Sequence, residues 1–314
     1  MNFKRNFKKL KYEALYLFIL LIRKITCALP RKVSLSIYSN LGKLAFNVFK
    51  KERAITIKNL SFVYGDSKSE EEILALAKNS WINLSKSIME FIRYKNIKDL
   101  KDLDEYVEVK GAHYLTQAQN YGKGVLALTS HLGPFEMCLY YIAMKGYNIA
   151  STGSPLKHPK LQELMVENRS RNGASFFDRK KASIRIIRQL KAGNFMGVLI
   201  DQDSNKMQNT FIDFFGKKCA TPSGPALMVL KTGAVVLPIH CYRTENDKLV
   251  IEVEKPRVFK PTGDLESDIQ EVTQEMHNYT EKMIRRFPDQ WVWMHDRWKT
   301  RPLNIERKLE AKAS

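Results

Sequence analysis

The sequence has few of the residue patterns that build metal centres and redox sites. Its four cysteines lie far apart and form no Cys-x-x-Cys pair, which argues against a zinc knuckle and against a redox motif. The six histidines form no His-Glu-x-x-His pattern, so the sequence implies no metal. We interpret the cysteines as reduced core residues of a cytosolic protein body.

Acidic residues are scarce near the N-terminus. Residues 1–60 contain fourteen basic residues and only two acidic ones, within a formal net charge of +19 for the 314-residue chain. This charge favours an acidic partner, which can be nucleic acid, an anionic lipid or an acidic protein. Charge by itself does not choose among these three.

The N-terminal region also lacks an apolar run of spanning length. Residues 14–22 are apolar, but Arg23 and Lys24 then interrupt the run, whereas a spanning helix needs about 20 apolar residues. A cleaved signal peptide is the weakest interpretation, because no small-residue cleavage site follows. The alternatives are a buried helix and a helix or shallow anchor at the membrane interface. We predict membrane association, since each basic residue near an anionic leaflet contributes about 1 kcal/mol.

Periodicity predicts an α/β fold with a mainly parallel or mixed central sheet and helices on both faces. Residues 67–101 have helical spacing, and Ser69 followed by three glutamates is a helix start signal. Another long helix is predicted at residues 264–286. Six short apolar runs are predicted as strands: 106–109, 125–129, 148–150, 195–200, 235–241 and 249–253.

Four regions follow from these patterns. We predict a membrane-associating segment at residues 1–30, a helical region at 31–105, an α/β domain at 106–305 and a polar tail at 306–314. The chain is long enough for one large domain or two smaller ones, and either can bury a substantial core.

The strand at residues 125–129 leads directly into chemically active side chains. His131 follows the strand, and Glu136 comes five residues later, after Gly133 and Pro134 open a helix. A neutral imidazole can take a proton from a substrate hydroxyl if its other nitrogen is held as a donor, and Glu136 can hold it. The alternative is that His131 caps the helix and Glu136 complements its dipole.

Two later segments supply further candidates. Arg169 and Arg171 lie at the end of a predicted helix, where they can bind phosphate or carboxylate, or can simply complement the dipole. Asp201 follows the strand at residues 195–200, so it can face the same crevice as His131 and bind acceptor hydroxyls or position an arginine. Asp201 and Asp203 together also resemble a pair of magnesium ligands, although a histidine base needs no metal.

Two further segments carry structural or rival interpretations. Thr221 is predicted to cap a helix with Pro222 at its first position, and this apolar helix can line an acyl channel or pack in the core. Residues 291–301 interleave aromatic and basic side chains, which is typical of single-stranded nucleic-acid binding or of a headgroup boundary. A nucleic-acid-binding function leaves the histidine and carboxylates above without a role.

Four blocks together resemble a known family. Residues 130–136 are similar to the His-x4-Glu motif of the bacterial lipid A biosynthesis acyltransferases, which are related to glycerolipid acyltransferases that carry His-x4-Asp. Residues 168–171, then 201–203 with 214–216, and then 288–302 resemble the later blocks in the same order. One departure is Pro134-Phe135, where members commonly have Asn-Trp.

The resemblance implies transfer of a fatty acyl chain from an acyl carrier protein to a hydroxyl of an anionic lipid A precursor. It implies His131 as the base, Glu136 as the residue that orients it, and Arg169, Asp201 and less firmly Arg171 as substrate-binding residues. It also implies an enzyme without a cofactor on the cytoplasmic face of the inner membrane, with no nucleic acid as partner. Acylation of a phospholipid or glycolipid from coenzyme A remains an alternative.

Overall fold

A computed structural model of the chain describes residues 2–156, 158–178, 183–203 and 208–300. Four helices come first, α1 (Asn2–Ala28), α2 (Arg31–Val48), α3 (Lys50–Tyr64) and α4 (Glu70–Arg93). The helix start predicted at Ser69 is confirmed as a capping box, in which the Ser69 side chain accepts from the Glu72 backbone and the Glu72 carboxylate accepts from the Ser69 backbone.

The remaining chain is the predicted α/β fold. The strands of its seven-stranded sheet are β1 (Val107–Lys110), β2 (Val125–Thr129), β3 (Ile149–Gly153), β4 (Ser175–Asp178), β5 (Phe195–Leu199), β8 (Val235–Arg243) and β9 (Leu249–Val253). Their order in the sheet is β1-β9-β8-β2-β5-β3-β4, in which all neighbours are parallel except β8 and β9. A separate antiparallel hairpin consists of β6 (Asn209–Phe214) and β7 (Lys217–Pro222).

Helices cover both faces of the sheet because the side chains of a strand alternate between its faces. The helices that follow α4 are α5 (Lys101–Asp104), α6 (His113–Asn120), α7 (Glu136–Met144), α8 (Pro159–Arg169), α9 (Ser183–Lys191), α10 (Gly224–Thr232) and α11 (Leu265–Arg286). Val125 and Ala127 of β2 pack in one core cluster with α7, whereas Leu126 and Leu128 pack in another with α9, α10 and α11. Strand β2 is therefore buried along its whole length.

The predicted helix start at Thr221 is wrong. Thr221 and Pro222 end β7, where Thr221 is paired with Thr210 across the hairpin, and α10 begins at Gly224. The pairing of Thr221 with β6 outweighs its local tendency to cap a helix, because this pairing completes an antiparallel ladder.

Within the described residues, the structure contains no helix with both the length and the apolar character needed to cross a membrane. The region boundaries at residues 30 and 105 stay a prediction, and the tail at 306–314 lies outside the described residues.

Candidate active site

Parallel pairing brings two polar strand ends together. Strands β2 and β5 pair in register from Val125 with Phe195 to Thr129 with Leu199. His131 lies two residues after the end of β2, and Asp201 lies two residues after the end of β5. The carboxyl ends of parallel strands share one edge of a sheet, which is where open α/β folds hold their ligands. The two side chains therefore meet at that edge.

His131 and Asp201 form a close, doubly bonded pair. The Nδ1 atom of His131 lies 2.8 Å from Oδ1 of Asp201, and the backbone N–H of His131 donates to Oδ2 at 2.8 Å. The indole Nε1 of Trp291 also donates to Oδ2, at 2.7 Å. The Asp201 side chain is fully buried, whereas 25% of the His131 side chain is exposed. The carboxylate is thus fixed by donors while the imidazole reaches the crevice.

The protonation of this pair follows from its surroundings. Burial alone would raise the pKa of the Asp201 carboxyl, but the His131 imidazole and the hydrogen bonds from His131 and Trp291 hold that pKa well below its ordinary value. An ionised carboxylate only accepts hydrogen bonds, so the proton of the contact belongs to Nδ1 of His131. In a neutral imidazole with this tautomer, the other ring nitrogen, Nε2, carries a lone pair that can accept a proton.

A glycine turn sets the exit of the chain from His131. Gly133 has φ +56°, and a Cβ atom there would lie 2.5 Å from the carbonyl oxygen of Cys241. Its N–H donates to the carbonyl of Gln290 at 2.9 Å. Both the left-handed backbone and the close approach require glycine at this position.

The structure places Glu136 against Arg169. Arg169 donates from Nε to Oε1 of Glu136 at 2.9 Å, and its Nη2 donates to the same oxygen. Glu136 is the first residue of α7 and Arg169 is the last of α8, and the guanidinium also lies over the Phe176 ring. Two elements that are distant in sequence are therefore joined beside the crevice.

These contacts differ from two that were expected. The residue that contacts the His131 ring nitrogen is Asp201 and not Glu136, because the β2–β5 register brings Asp201 beside the imidazole while the turn at Gly133 directs α7 towards α8. Asp201 is buried and accepts hydrogen bonds from protein donors, whereas a carboxylate that faces the crevice was expected; its substrate-binding role stays a prediction. Neither pairing is visible in the local sequence.

Arg171 lies apart from this pair. Its Nη2 donates to Glu167 at 3.4 Å, and Glu167 accepts from Arg23 of α1 at 2.8 Å. Its place in the structure is a network between α1 and α8, whereas Arg169 lines the crevice. A substrate-binding role for Arg171 remains a prediction.

The crevice beside His131 has a volume of about 470 Å³. Its polar lining includes Arg169, Gln202 and Asp203. Apolar side chains contribute a large part of its wall, namely Phe135, Met165, Ile186, Val198, Leu199 and Met228. A hydrocarbon chain and a polar reacting group can therefore occupy it together.

Residues near the C-terminus complete the site. Asp203 accepts from the backbone and the hydroxyl of Thr300 at 2.8 and 2.9 Å, and its own N–H donates to Nε2 of His295 at 2.8 Å. The contact between Trp291 and Asp201 was not predicted, although Trp291 belongs to a block that the sequence singled out. These contacts hold residues 201–203 against the segment that follows α11.

The same region bears on two other interpretations, a metal site and a nucleic-acid-binding surface. Both oxygens of Asp201 and both oxygens of Asp203 accept from protein donors, and the described part of the chain has no group of three side chains suited to hold a metal ion. Trp291, Trp293 and Trp298 are buried. They form part of the core and do not present a surface on which bases can stack.

Comparison with known proteins gives the family of the chain. Residues 1–300 match the family described as bacterial lipid A biosynthesis acyltransferase. The chain is 26% identical over 278 residues to the lipid A biosynthesis lauroyltransferase of Escherichia coli (strain K12), covering 88% of this chain and 89% of that protein. It is 23% identical over 301 residues to the lipid A biosynthesis myristoyltransferase of the same strain, covering 96% and 91%.

The name of a third relative indicates another acceptor. The chain is 22% identical over 199 residues to the phosphatidylinositol mannoside acyltransferase of Mycolicibacterium smegmatis (strain ATCC 700084 / mc(2)155), covering 62% of this chain and 64% of that protein. The family match extends over nearly the whole chain, which confirms the resemblance seen in the sequence. The chain therefore belongs to the bacterial lipid A biosynthesis acyltransferase family.

Proposed function

We propose that this enzyme transfers a fatty acyl chain from the thioester of an acyl carrier protein to a hydroxyl of an anionic lipid A precursor. One observation carries the proposal: the hydrogen bond between His131 and the buried, ionised Asp201 leaves Nε2 of His131 able to act as a base. A thioester is already activated, so positioning and a base suffice for its reaction with an alcohol.

The reaction needs no protein nucleophile. Nε2 of His131 accepts the proton of the acceptor hydroxyl, whose oxygen attacks the thioester carbonyl to form a tetrahedral intermediate. The carbon–sulfur bond then breaks, and the thiolate takes the proton from His131. Asp201 stabilises the imidazolium that exists between the two transfers and keeps the ring oriented.

Glu136 and Arg169 act together in this proposal. Glu136 fixes the guanidinium of Arg169 at the edge of the crevice, where it can attract an anionic group of the acceptor or charge that develops on the carbonyl oxygen. Arg171 supports the same region through Glu167.

The positive charge of the chain supports both the proposed acyl donor and the proposed membrane location. Acyl carrier proteins are acidic, and a chain with a formal net charge of +19 attracts them by long-range electrostatics. The basic and apolar N-terminus fits an inner membrane surface, with the catalytic domain on the cytoplasmic side where such carriers occur.

The test is a matrix of donors and acceptors. Purified enzyme is given acyl carrier protein or coenzyme A thioesters, and lipid A precursors, phospholipids or a phosphatidylinositol mannoside, with His131→Ala as control. We expect transfer with the carrier protein and the lipid A precursor, and a loss of at least about 10²-fold in the variant. Transfer only to the mannoside or a phospholipid from coenzyme A would support the alternative acceptor class. Near-normal turnover in a folded His131→Ala variant would remove the mechanism.

A further inference from the structure

Helix α2 presents an apolar stripe that no other part of the described protein covers. Its members recur at spacings of three and four residues, which places them on one side of a helix. Each side chain is more than 40% exposed, and the stripe consists of Val33, Ile37, Leu41, Leu44 and Val48. Single exposed apolar residues are ordinary, but a continuous stripe of five marks an interaction surface.

The stripe is separate from the side of α2 that holds the fold together. Leu35, Tyr38 and Phe46 are buried on α4, and Gly42 lets the two helices approach closely. Exposed polar residues occupy a third side. These are Lys32, Ser36, Asn40, Lys43 and Asn47. Packing against the core therefore does not account for the stripe.

Helix α1 has a matching surface. Leu10, Leu17, Phe18, Leu21 and Ile25 are exposed at helical spacing along it. Both α1 and α2 pack on α4, and the hydroxyls of Thr26 and Tyr38 join them at 2.9 Å. Because α4 lies on their packed sides, both stripes face away from it.

We propose that α2 is a second lipid-contacting helix, which together with α1 forms a two-helix platform on an anionic bilayer. Exposed lysines surround the stripes at positions 24, 32, 43, 50 and 51. A second copy docked on this surface would bring these like charges together, whereas an anionic leaflet attracts them. Apolar stripes between basic residues are the pattern of helices that lie in the membrane interface.

The platform is connected to the catalytic crevice. Arg23 of α1 donates to Glu167 of α8 at 2.8 Å, and Lys160 of α8 donates to Glu13 of α1 at 2.6 Å. Helix α8 ends at Arg169, which lines the crevice. A lipid acceptor can then approach Arg169 from the leaflet on which the platform rests, an extension that depends on the proposed function.

The experiment measures binding of the full chain to vesicles of phosphatidylcholine, with and without phosphatidylglycerol, in the absence of donor and acceptor. Leu41→Glu/Leu44→Glu places two charges in the stripe. Ser36→Glu/Asn47→Glu places the same charges on the polar side of the same helix and is the matched control. We expect the leucine pair to lower affinity for anionic vesicles by about tenfold or more relative to the control pair.

Equal affinities of the two pairs would overturn the proposal. So would a stable wild-type dimer that Leu41→Glu/Leu44→Glu dissociates without changing vesicle binding, since a second copy would then cover the stripe. Thermal melting checks that both double variants fold. If the leucine double variant does not fold, a comparison of Val48→Glu with Asn47→Glu tests the same point. Acyl transfer to a detergent-dispersed acceptor is expected to be unchanged in the leucine pair. Failure of the proposed function therefore shows in the transfer assay and not in vesicle binding.

Discussion

At the scale of single residues, chemistry depends on which carboxylate each basic group engages. The buried Asp201 carboxylate contacts three donors, two of them on His131 and one on Trp291. The Glu136 carboxylate instead accepts from Arg169. A buried carboxylate is tolerated because these donors replace its water. The result is one imidazole held by a fixed acceptor and one guanidinium held by another.

Replacing Glu136 tests the second of these contacts. We expect Glu136→Gln to lower turnover because Arg169 loses its charged partner, and Glu136→Asp to retain part of the activity because the charge remains. Steady-state kinetics with both substrates, together with a melting curve, measure the effect. Full activity of the Gln variant would contradict a positioning role for Glu136.

His131, Glu136, Arg169 and Asp201 were all identifiable in the sequence as candidates, from their positions at strand or helix ends. Their pairing was not, because it depends on the register between β2 and β5, which are about seventy positions apart. The part played by Trp291 depends on the same folded geometry. Local spacing along the chain favours Glu136 as the partner of His131, whereas the parallel sheet places Asp201 beside the imidazole.

At the scale of elements, the turn after β2 is the most constrained connection near the site. Gly133 combines a left-handed backbone with a close approach to β8. Strongly local features of other elements were predictable, such as the start of α4 at Ser69 and the long helix α11. Strand β4 and the hairpin β6–β7 were not, because their local strand preference is weak and depends on pairing, of β4 with β3 and of β6 with β7.

Gly133→Ala should destabilise the protein and lower activity. Gly122→Ala is the matched control, since Gly122 has φ +66° but no atom lies within 4 Å of its added Cβ. Both variants bear the cost of a left-handed alanine, about 1–2 kcal/mol, and only Gly133→Ala also collides with the backbone of Cys241. Urea denaturation measures the difference, and equal free energies of unfolding for the two variants would contradict this account of the turn.

At the scale of the whole molecule, the core buries titratable groups that do not take part in the proposed reaction. Burial lowers the pKa of His240 to about 4 and that of His277 to about 3. Neither ring nitrogen of His240 has a hydrogen-bond partner among the described residues. Both histidines are therefore neutral in the folded protein over a range in which the unfolded chain binds protons.

This burial makes stability depend on pH. A depressed histidine pKa means that the unfolded chain takes up a proton first, so the contribution of His240 is present above about pH 6.5 and is lost as the pH falls towards 4. We expect His240→Leu to reduce the slope of unfolding free energy against pH in this window by up to about 1.4 kcal/mol per pH unit. Exposed His113, changed to Leu, is the control, and an unchanged slope in His240→Leu would refute the prediction.

The charge of the whole molecule predicts a salt effect on the donor. We expect the KM for an acyl carrier protein thioester to rise with salt, because exposed charges are screened beyond about 8 Å at physiological ionic strength. The KM for a minimal thioester should change much less. Parallel salt series with the two donors measure this, and an equal response of both would argue against electrostatic docking of the carrier.

The central claim is that His131 and Asp201 act as one unit, and a double-mutant cycle on single-turnover acyl transfer tests it most directly. Each single variant, His131→Ala and Asp201→Asn, is expected to be slower by about 10²–10⁴-fold. If Asp201 acts through His131, the double variant will be no slower than His131→Ala, because nothing is left for the carboxylate to orient. Losses that multiply in the folded double variant would show independent roles and would contradict the account.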